Sequence, residues 1–335
     1  MASKRERFRT AAAPNAYFLD ADDVAGIRQY LGEREWLMSG EAVLRAEIAG
    51  QGNMNCVVRA VTPSRSFILK QSRPWVEKYS DIAAPFDRAI VEAEFYRAVS
   101  GTDAADWMPQ FYWVDPISRI LCLEDIGTGG DSSSLYAGVR LDAADQQRVC
   151  GFLSVLHHSG SQLLNREMRA LNHFHIFVFP FDSENGLDLE KFTPGLKEVS
   201  QHVKNNSRLL DRVKELGQVY LSDGTWLLHG DYFPGSWMRT TSGIKIIDPE
   251  FAFTGPREFD VGVMMAHLTM SGDTNALDAL PNYYAHWSEL DQRLVEGFAG
   301  VEVLRRLLGV AQLPLKLDLD RKRDLIESSI RRILE

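Results

Sequence analysis

The strongest constraint on the fold is a change in sequence pattern near residue 125. Before that point, five short segments are rich in strand-forming residues and are separated by turns and one helical pattern. The predicted strands are 41–49, 55–61, 66–71, 111–115 and 120–124, with a helix at 86–99 among them and a short helix at 22–31 before them. Beyond residue 125 the patterns are mostly helical, with helices predicted over 142–158, 209–221, 261–270, 275–286, 290–308 and 318–334. The sequence therefore predicts an α+β fold with two lobes, an antiparallel sheet lobe over residues 1–124 and a mostly helical lobe over residues 125–335.

Composition excludes several classes of protein. Hydrophobic residues make up 45% and charged residues 25% of the 335 positions, which is typical of a folded globular protein. A net charge of -9 opposes binding to nucleic acid phosphates. Apolar stretches are too short to span a bilayer, so no membrane association is expected. Cys56, Cys122 and Cys150 lack metal-ligand spacing, which predicts buried free thiols and a cytoplasmic protein. A homodimer is left open.

Two acidic motifs in the second half of the chain carry the clearest chemical signal. His229, Gly230 and Asp231 form the first motif, and Asp248, Pro249 and Glu250 form the second. Phosphoryl transfer needs one carboxylate that receives the proton of the acceptor hydroxyl and other carboxylates that hold Mg²⁺ against the phosphates. Aspartate also caps turns and ends strands, so either motif alone would carry little weight. Together, with apolar strand residues between them, they predict a phosphotransferase site.

Several further segments produce a family resemblance that covers nearly the whole chain. They are Gly235 and Ser236 after the first motif, residues 248–256 (DPEFAFTGP), residues 259–262 (FDVG) and residues 299–309 (AGVEVLRRLLG). With these motifs the chain resembles the aminoglycoside phosphotransferase and choline kinase superfamily, and within it most resembles the methylthioribose kinases. The resemblance implies a protein-kinase-like two-lobed fold, ATP and Mg²⁺ as cofactors, and a small-molecule acceptor.

The resemblance also assigns nucleotide-binding residues to the first lobe. Lys70 would reach the α- and β-phosphates of ATP, and Glu92 on the following helix would pair with it. The backbone of the loop with Gly50, Gly52 and Asn53 would cover the triphosphate, because glycines allow close approach. At the lobe junction, Glu124 and Ile126 would present backbone groups to adenine.

In the second lobe, the resemblance assigns catalysis to Asp231, with His229 expected to orient the loop rather than to act as the base. Asp248 and Glu250 would hold the metal, with Ser236 as a weaker ligand where most of the superfamily has Asn. Asp260 is expected to cap a helix or hold a loop.

Substrate contacts are expected from Arg305, Arg306 and Tyr232. Because consecutive helical residues point about 100° apart, only one arginine is expected to face the pocket fully.

The expected acceptor is 5-methylthioribose, phosphorylated at its anomeric oxygen. Residues 232–234 (YFP) and Gln51 depart from the methylthioribose kinase pattern and alter the expected pocket wall. The alternatives left open are another small alcohol, such as an aminoglycoside, choline or homoserine, and a non-catalytic nucleotide-binding pseudokinase. A protein kinase is disfavoured because the chain has no HRD, DFG or APE segment.

Overall fold

A computed structural model describes residues 3–50 and 54–335 of the chain. The chain divides into two units, each with its own contacts. The first contains the residues up to Ser100 together with Met108–Gly130, and the second contains Gly101–Trp107 together with Asp131–Glu335. Among the described residues, no helix has the length and apolar character needed to cross a membrane.

The first unit is built on a five-stranded antiparallel sheet, as the sequence predicts. Its strands lie in the order β1-β2-β3-β7-β6. They are β1 (Arg45–Ile48), β2 (Cys56–Val61), β3 (Ser66–Gln71), β6 (Phe111–Asp115) and β7 (Ile120–Glu124). Three helices belong to this unit: α1 (Lys4–Ala11), α2 (Val24–Glu33) and α3 (Arg88–Val99). A small hairpin of β4 (Trp75–Val76) and β5 (Tyr79–Ala83) completes it.

Alternation along the strands builds the core of this sheet. In β2, Cys56, Val58 and Ala60 are buried and the residues between them are partly exposed, which is the period-two pattern of a strand with one covered face. Ile27 and Leu31 of α2 pack into the same apolar cluster. The three cysteines are buried free thiols, as predicted.

The second unit is mostly helical. Its helices are α4 (Ala143–His157), α5 (Arg166–His173), α6 (Leu196–Lys204), α7 (Ser207–Leu221), α8 (Glu258–Ser271), α9 (Thr274–Tyr283), α10 (Gln292–Leu308) and α11 (Leu319–Leu334). Its short strands are β8 (Trp226–Leu228), β9 (Trp237–Thr240), β10 (Gly243–Ile246) and β11 (Phe253–Gly255), paired antiparallel as β9 with β10 and β8 with β11. Helices α8 and α10 are buried over most of their length and form the centre of this unit.

Some elements differ from the sequence expectation. Helices α1 and α6 and the β4–β5 hairpin are not predicted, and the aromatic segment after residue 165 forms α5 followed by a π-helical turn over Phe174–Val178. The sequence of that segment is aromatic and irregular, without a clear helical or strand period, so no element is predicted there.

The predicted lobe boundary at residue 124 also differs from the observed division. Asp125 stays with the first unit, because its carboxylate accepts hydrogen bonds from Arg59 Nε at 2.7 Å and from Ser66 Oγ at 2.6 Å. Gly101–Trp107 joins the second unit, where the guanidinium of Arg148 in α4 lies 4.4 Å from the centre of the Trp107 ring.

The buried Asp125 carboxylate gives a test of this account of the sheet. We expect Asp125→Ala to lower the free energy of opening of β2 and β7 by about 3 kcal/mol, because Arg59 loses its buried partner. Glu47→Ala is the matched control, since Glu47 also contacts Arg59, at 3.3 Å, but its side chain is 42% exposed. It should change the same free energy by less than about 1 kcal/mol. Native-state hydrogen exchange of the strand amides measures both, and equal effects would contradict the assignment.

Candidate active site

In the first unit, a buried ion pair joins the sheet to helix α3. Lys70, near the end of β3, places its Nζ 2.6 Å from Oε2 of Glu92 in α3. The two side chains are only 5% and 1% exposed, so the lysine ammonium is held in one position. This is the pair that the sequence predicts for the nucleotide phosphates.

The other predicted nucleotide residues lie at the ends of strands. Gly50 follows β1 with a φ of 75°, a left-handed conformation that suits glycine. Gly52, Asn53 and Gln51 lie outside the described residues. Glu124 ends β7, where its N–H donates to the carbonyl of Gln110 at 2.8 Å, and Ile126 follows it as a partly buried residue. Adenine binding by these two residues stays a prediction.

In the second unit, the loop after β8 carries His229, Gly230 and Asp231. The carboxylate of Asp260, fully buried in the first turn of α8, accepts the N–H of His229 at 2.7 Å and the N–H of Gly230 at 3.0 Å. Gly230 has a φ of 84°, and a Cβ atom there would lie 2.2 Å from the carbonyl oxygen of Phe251. Asp260 thus holds the loop, and the loop conformation requires glycine.

The same loop is tied to the strand that leads to the second acidic motif. His229 Nε2 donates to the carbonyl of Ile247 at 2.9 Å, which places the ring proton on Nε2. Ile247 N–H donates to the carbonyl of Ser236 at 3.0 Å, and Ser236 Oγ donates to the carbonyl of Asp231 at 3.2 Å. His229 and Ser236 therefore fix the residue that precedes Asp248.

Asp248 and Glu250 follow directly. Asp248 is exposed and has a φ of 64°, a left-handed conformation that costs a non-glycine residue about 1 kcal/mol or more and persists where the surroundings impose it. Glu250 is buried. Carboxylate and hydroxyl oxygens are hard donors, so Asp248, Glu250 and the Ser236 hydroxyl have the chemistry that Mg²⁺ prefers.

Arg305 and Arg306, in the last turn of α10, both reach the carboxylate of Asp231. Arg306 Nη2 lies 2.9 Å and Arg305 Nη1 lies 3.4 Å from Oδ1 of Asp231, whose side chain is 17% exposed. The expectation that only one of these arginines would face the pocket is therefore wrong. The long side chains converge because a third residue, Glu302, binds both guanidinium groups from within the same helix.

Glu302 is a site residue that the sequence analysis missed. Burial alone would raise the pKa of its carboxyl, but Arg305 and Arg306 hold that pKa well below its usual range. Its position three and four residues before the arginines was the available signal, because that spacing puts all three on one helix face. His267, which also contacts Glu302, gave no signal in the sequence.

Tyr232 does not have the substrate-binding position that we predict from sequence. Its side chain is fully buried, its hydroxyl donates to the carbonyl of Val149 at 2.7 Å, and its ring stacks on Phe152. Tyr232 is therefore part of the core. The neighbouring Phe233 is only partly buried, and the guanidinium of Arg306 lies 4.7 Å from its ring centre.

A carboxylate at the end of a fixed loop, a second acidic motif beside it and a buried lysine–glutamate pair on a five-stranded antiparallel sheet define a phosphotransferase with a protein-kinase-like fold. The chain belongs to the phosphotransferase enzyme family, whose sequence pattern matches residues 46–293. It is a small-molecule kinase of that family.

Individual relatives agree with this classification. A methylthioribose kinase from Bacillus velezensis is 25% identical over 324 residues, which cover 83% of this chain and 81% of the relative. Among solved structures, a choline kinase from Streptococcus pneumoniae aligns with a TM-score of 0.53 at 12% identity, covering 92% of this chain and 97% of that one. A choline/ethanolamine kinase family protein from Mesorhizobium loti gives a TM-score of 0.54 at 17% identity, covering 86% and 92%. The structural neighbours share the fold.

The steric requirement at Gly230 leads to a test of the loop. In Gly230→Ala the new Cβ collides with the Phe251 carbonyl, so Asp231 must shift, and we expect turnover to fall on the order of a hundredfold. Gly243→Ala is the control, because Gly243 also has a positive φ, 108°, but has open space around its Cβ position. This control should lose about 1 kcal/mol of stability and keep its turnover. Steady-state kinetics and thermal unfolding compare the two, and an active Gly230→Ala enzyme would contradict this account.

Proposed function

We propose that this kinase transfers the γ-phosphoryl group of ATP to a hydroxyl of a neutral, sugar-like acceptor, with 5-methylthioribose phosphorylated at its anomeric oxygen as the leading candidate. The observation that carries the proposal is the arginine pair at Asp231. Two guanidinium groups within 3.4 Å of the same carboxylate oxygen place positive charge and hydrogen-bond donors beside the position of the acceptor.

This arrangement disfavours cationic acceptors. Guanidinium groups donate hydrogen bonds and cannot accept them, so they suit the oxygens of a sugar and offer no acceptor to an ammonium group. An aromatic ring can bind a quaternary ammonium through its face, but the face of Phe233 is already next to the Arg306 guanidinium. Choline and polycationic aminoglycosides are therefore weaker candidates than a neutral sugar. Homoserine, which carries both an ammonium and a carboxylate, is intermediate.

Asp231 is assigned as the group that receives the acceptor proton. Within the described part of the chain, the hydrogen bonds to this carboxylate fall on Oδ1. We assign Oδ2 to the acceptor hydroxyl, which loses its proton to Asp231 as its oxygen forms the new bond to the γ-phosphorus. The bond between that phosphorus and the ADP oxygen breaks, and ADP leaves.

The remaining polar residues are assigned to ATP and Mg²⁺. Lys70, oriented by Glu92, would bind nucleotide phosphates in the first unit. Asp248 and Glu250, with a minor contribution from Ser236, would hold Mg²⁺, which neutralises phosphate charge when bound. His229 keeps its orienting role, because its Nε2–H is committed to the Ile247 carbonyl.

Similarity to methylthioribose kinases over most of the chain supports the choice of acceptor. The test is an ADP-release assay of the purified protein with ATP and Mg²⁺ against methylthioribose, ribose, choline, homoserine and an aminoglycoside. We expect the highest kcat/KM with methylthioribose. A clear preference for choline or an aminoglycoside would overturn the argument from the Arg305 and Arg306 guanidinium groups.

Paired variants separate the two acidic motifs. Asp231→Asn keeps the shape and removes the proton acceptor, so ATP binding should persist while turnover falls on the order of a hundredfold or more. Asp248→Asn weakens metal binding, so it should raise the Mg²⁺ concentration needed for half-maximal activity as well as lower the rate. Magnesium titrations of kcat distinguish the variants. If Asp231→Asn retained most of its kcat, Asp231 would be only a loop-holding residue.

A further inference from the structure

We propose that Glu302 is a positioning residue, whose buried carboxylate holds Arg305 and Arg306 so that both guanidinium groups contact Oδ1 of Asp231 and leave Oδ2 to the acceptor. His267 and Tyr136 in turn hold Glu302. The part of this proposal that concerns acceptor binding rests on the proposed function.

Helix geometry explains why one carboxylate can direct two consecutive arginines. Residues three and four positions after Glu302 lie on either side of it on the same helix face. Glu302 Oε2 accepts from Arg305 Nη1 at 2.8 Å, and Oε1 accepts from Arg306 Nε at 2.6 Å. Without such a partner, the roughly 100° between consecutive residues would send the two guanidinium groups in different directions.

The cluster is electrically balanced and buried. Two arginines face two carboxylates, those of Glu302 and Asp231, and the Glu302 side chain is only 1% exposed. Desolvating four charges is costly, and a buried ion cluster is often no more stabilising than apolar residues of the same size. We therefore assign the cluster to geometry at Asp231 and not to the stability of the fold.

Two further residues, His267 and Tyr136, support Glu302 through hydrogen bonds. His267 Nε2 lies 3.1 Å from Glu302 Oε1, and Tyr136 Oη lies 2.6 Å from His267 Nδ1. Because the arginines keep Glu302 ionised, its carboxylate can only accept, so His267 must carry its proton on Nε2. The Nδ1 lone pair then accepts from the Tyr136 hydroxyl. Each hydrogen bond from Tyr136 through His267 to Glu302 thus has a defined donor and acceptor.

Removing the Glu302 charge should disturb Asp231 through the arginines. With Glu302 neutral, Asp231 becomes the only carboxylate among these four residues that balances two guanidinium groups. They would then move toward Asp231 and compete with the acceptor for its second oxygen. The expected consequence is weaker acceptor binding and slower transfer, with nucleotide binding unchanged.

A double-mutant cycle tests whether Glu302 acts on acceptor binding through Arg306. We expect Glu302→Gln to raise the acceptor KM about tenfold or more and to leave the KM for ATP within about twofold. In an Arg306→Met background the same Glu302→Gln substitution should raise the acceptor KM by less than about threefold, because its target is already missing. An equal effect in both backgrounds would overturn the proposal.

Glu296→Gln is the matched control on the same helix. Glu296 pairs with Arg332 at 3.1 Å near the surface. It lies in the first half of α10, whereas the arginine pair lies in the last turn. Removing its charge should therefore leave the acceptor KM unchanged. An effect of Glu296→Gln as large as that of Glu302→Gln would assign both to helix stability and overturn the positioning role.

A measurement on the unaltered protein covers the case in which Glu302→Gln does not fold. In ¹⁵N NMR of imidazole-labelled protein, His267 should be neutral with its proton on Nε2, and should stay neutral to about pH 5, because burial lowers its pKa to about 4. A proton on Nδ1 would overturn the contact chain. This result does not depend on the acceptor, whereas absence of methylthioribose phosphorylation by the wild-type protein would contradict only the proposed acceptor.

Discussion

The hydrogen bonds between Asp260 and the backbone of the loop after β8 are the interaction on which the rest of the candidate site depends. One buried carboxylate accepts two consecutive N–H groups, those of His229 and Gly230. Leaving such groups unpaired in a buried position would cost about 1–3 kcal/mol each. The loop therefore has one low-energy conformation, and Asp231 takes its position from it. The hydrogen bond from His229 to the Ile247 carbonyl then fixes the residue that precedes the second acidic motif.

A rigid loop does not by itself determine which acceptor the enzyme binds. In the proposed function, that role falls to the groups around Asp231, where two arginines contact the carboxylate assigned to receive the acceptor proton. Under that proposal, the guanidinium donors suit the oxygens of a neutral sugar, so specificity would follow from hydrogen bonding close to the reacting oxygen. Glu302 makes the arrangement achievable, because neighbouring helical residues would otherwise diverge. The proposed function thus assigns chemistry and selectivity to different elements, the loop after β8 and helix α10.

The sequence predicted the parts of this protein that follow from local pattern and missed those that depend on tertiary contacts. Runs of strand-forming residues identified all five strands of the sheet, and the two acidic motifs pointed to two segments that the structure ties together through Ile247 and Ser236. Tyr232 was assigned to the substrate because hydropathy does not show which way a residue beside a catalytic aspartate points, and here its hydroxyl bonds to the Val149 carbonyl in the core. The convergence of Arg305 and Arg306 was missed because it depends on Glu302, a buried charge that sequence patterns alone place on a helix surface.

The most direct test of the central claim is the position of the phosphate on the product. The ³¹P NMR spectrum of the product formed from ATP and methylthioribose should show one phosphomonoester signal, and a ¹H–³¹P correlation should connect that signal to the anomeric proton. That result would identify the anomeric hydroxyl of a neutral sugar as the acceptor group. A phosphate on another hydroxyl of the sugar, or no sugar phosphate at all while ATP is consumed with a cationic alcohol, would contradict the account.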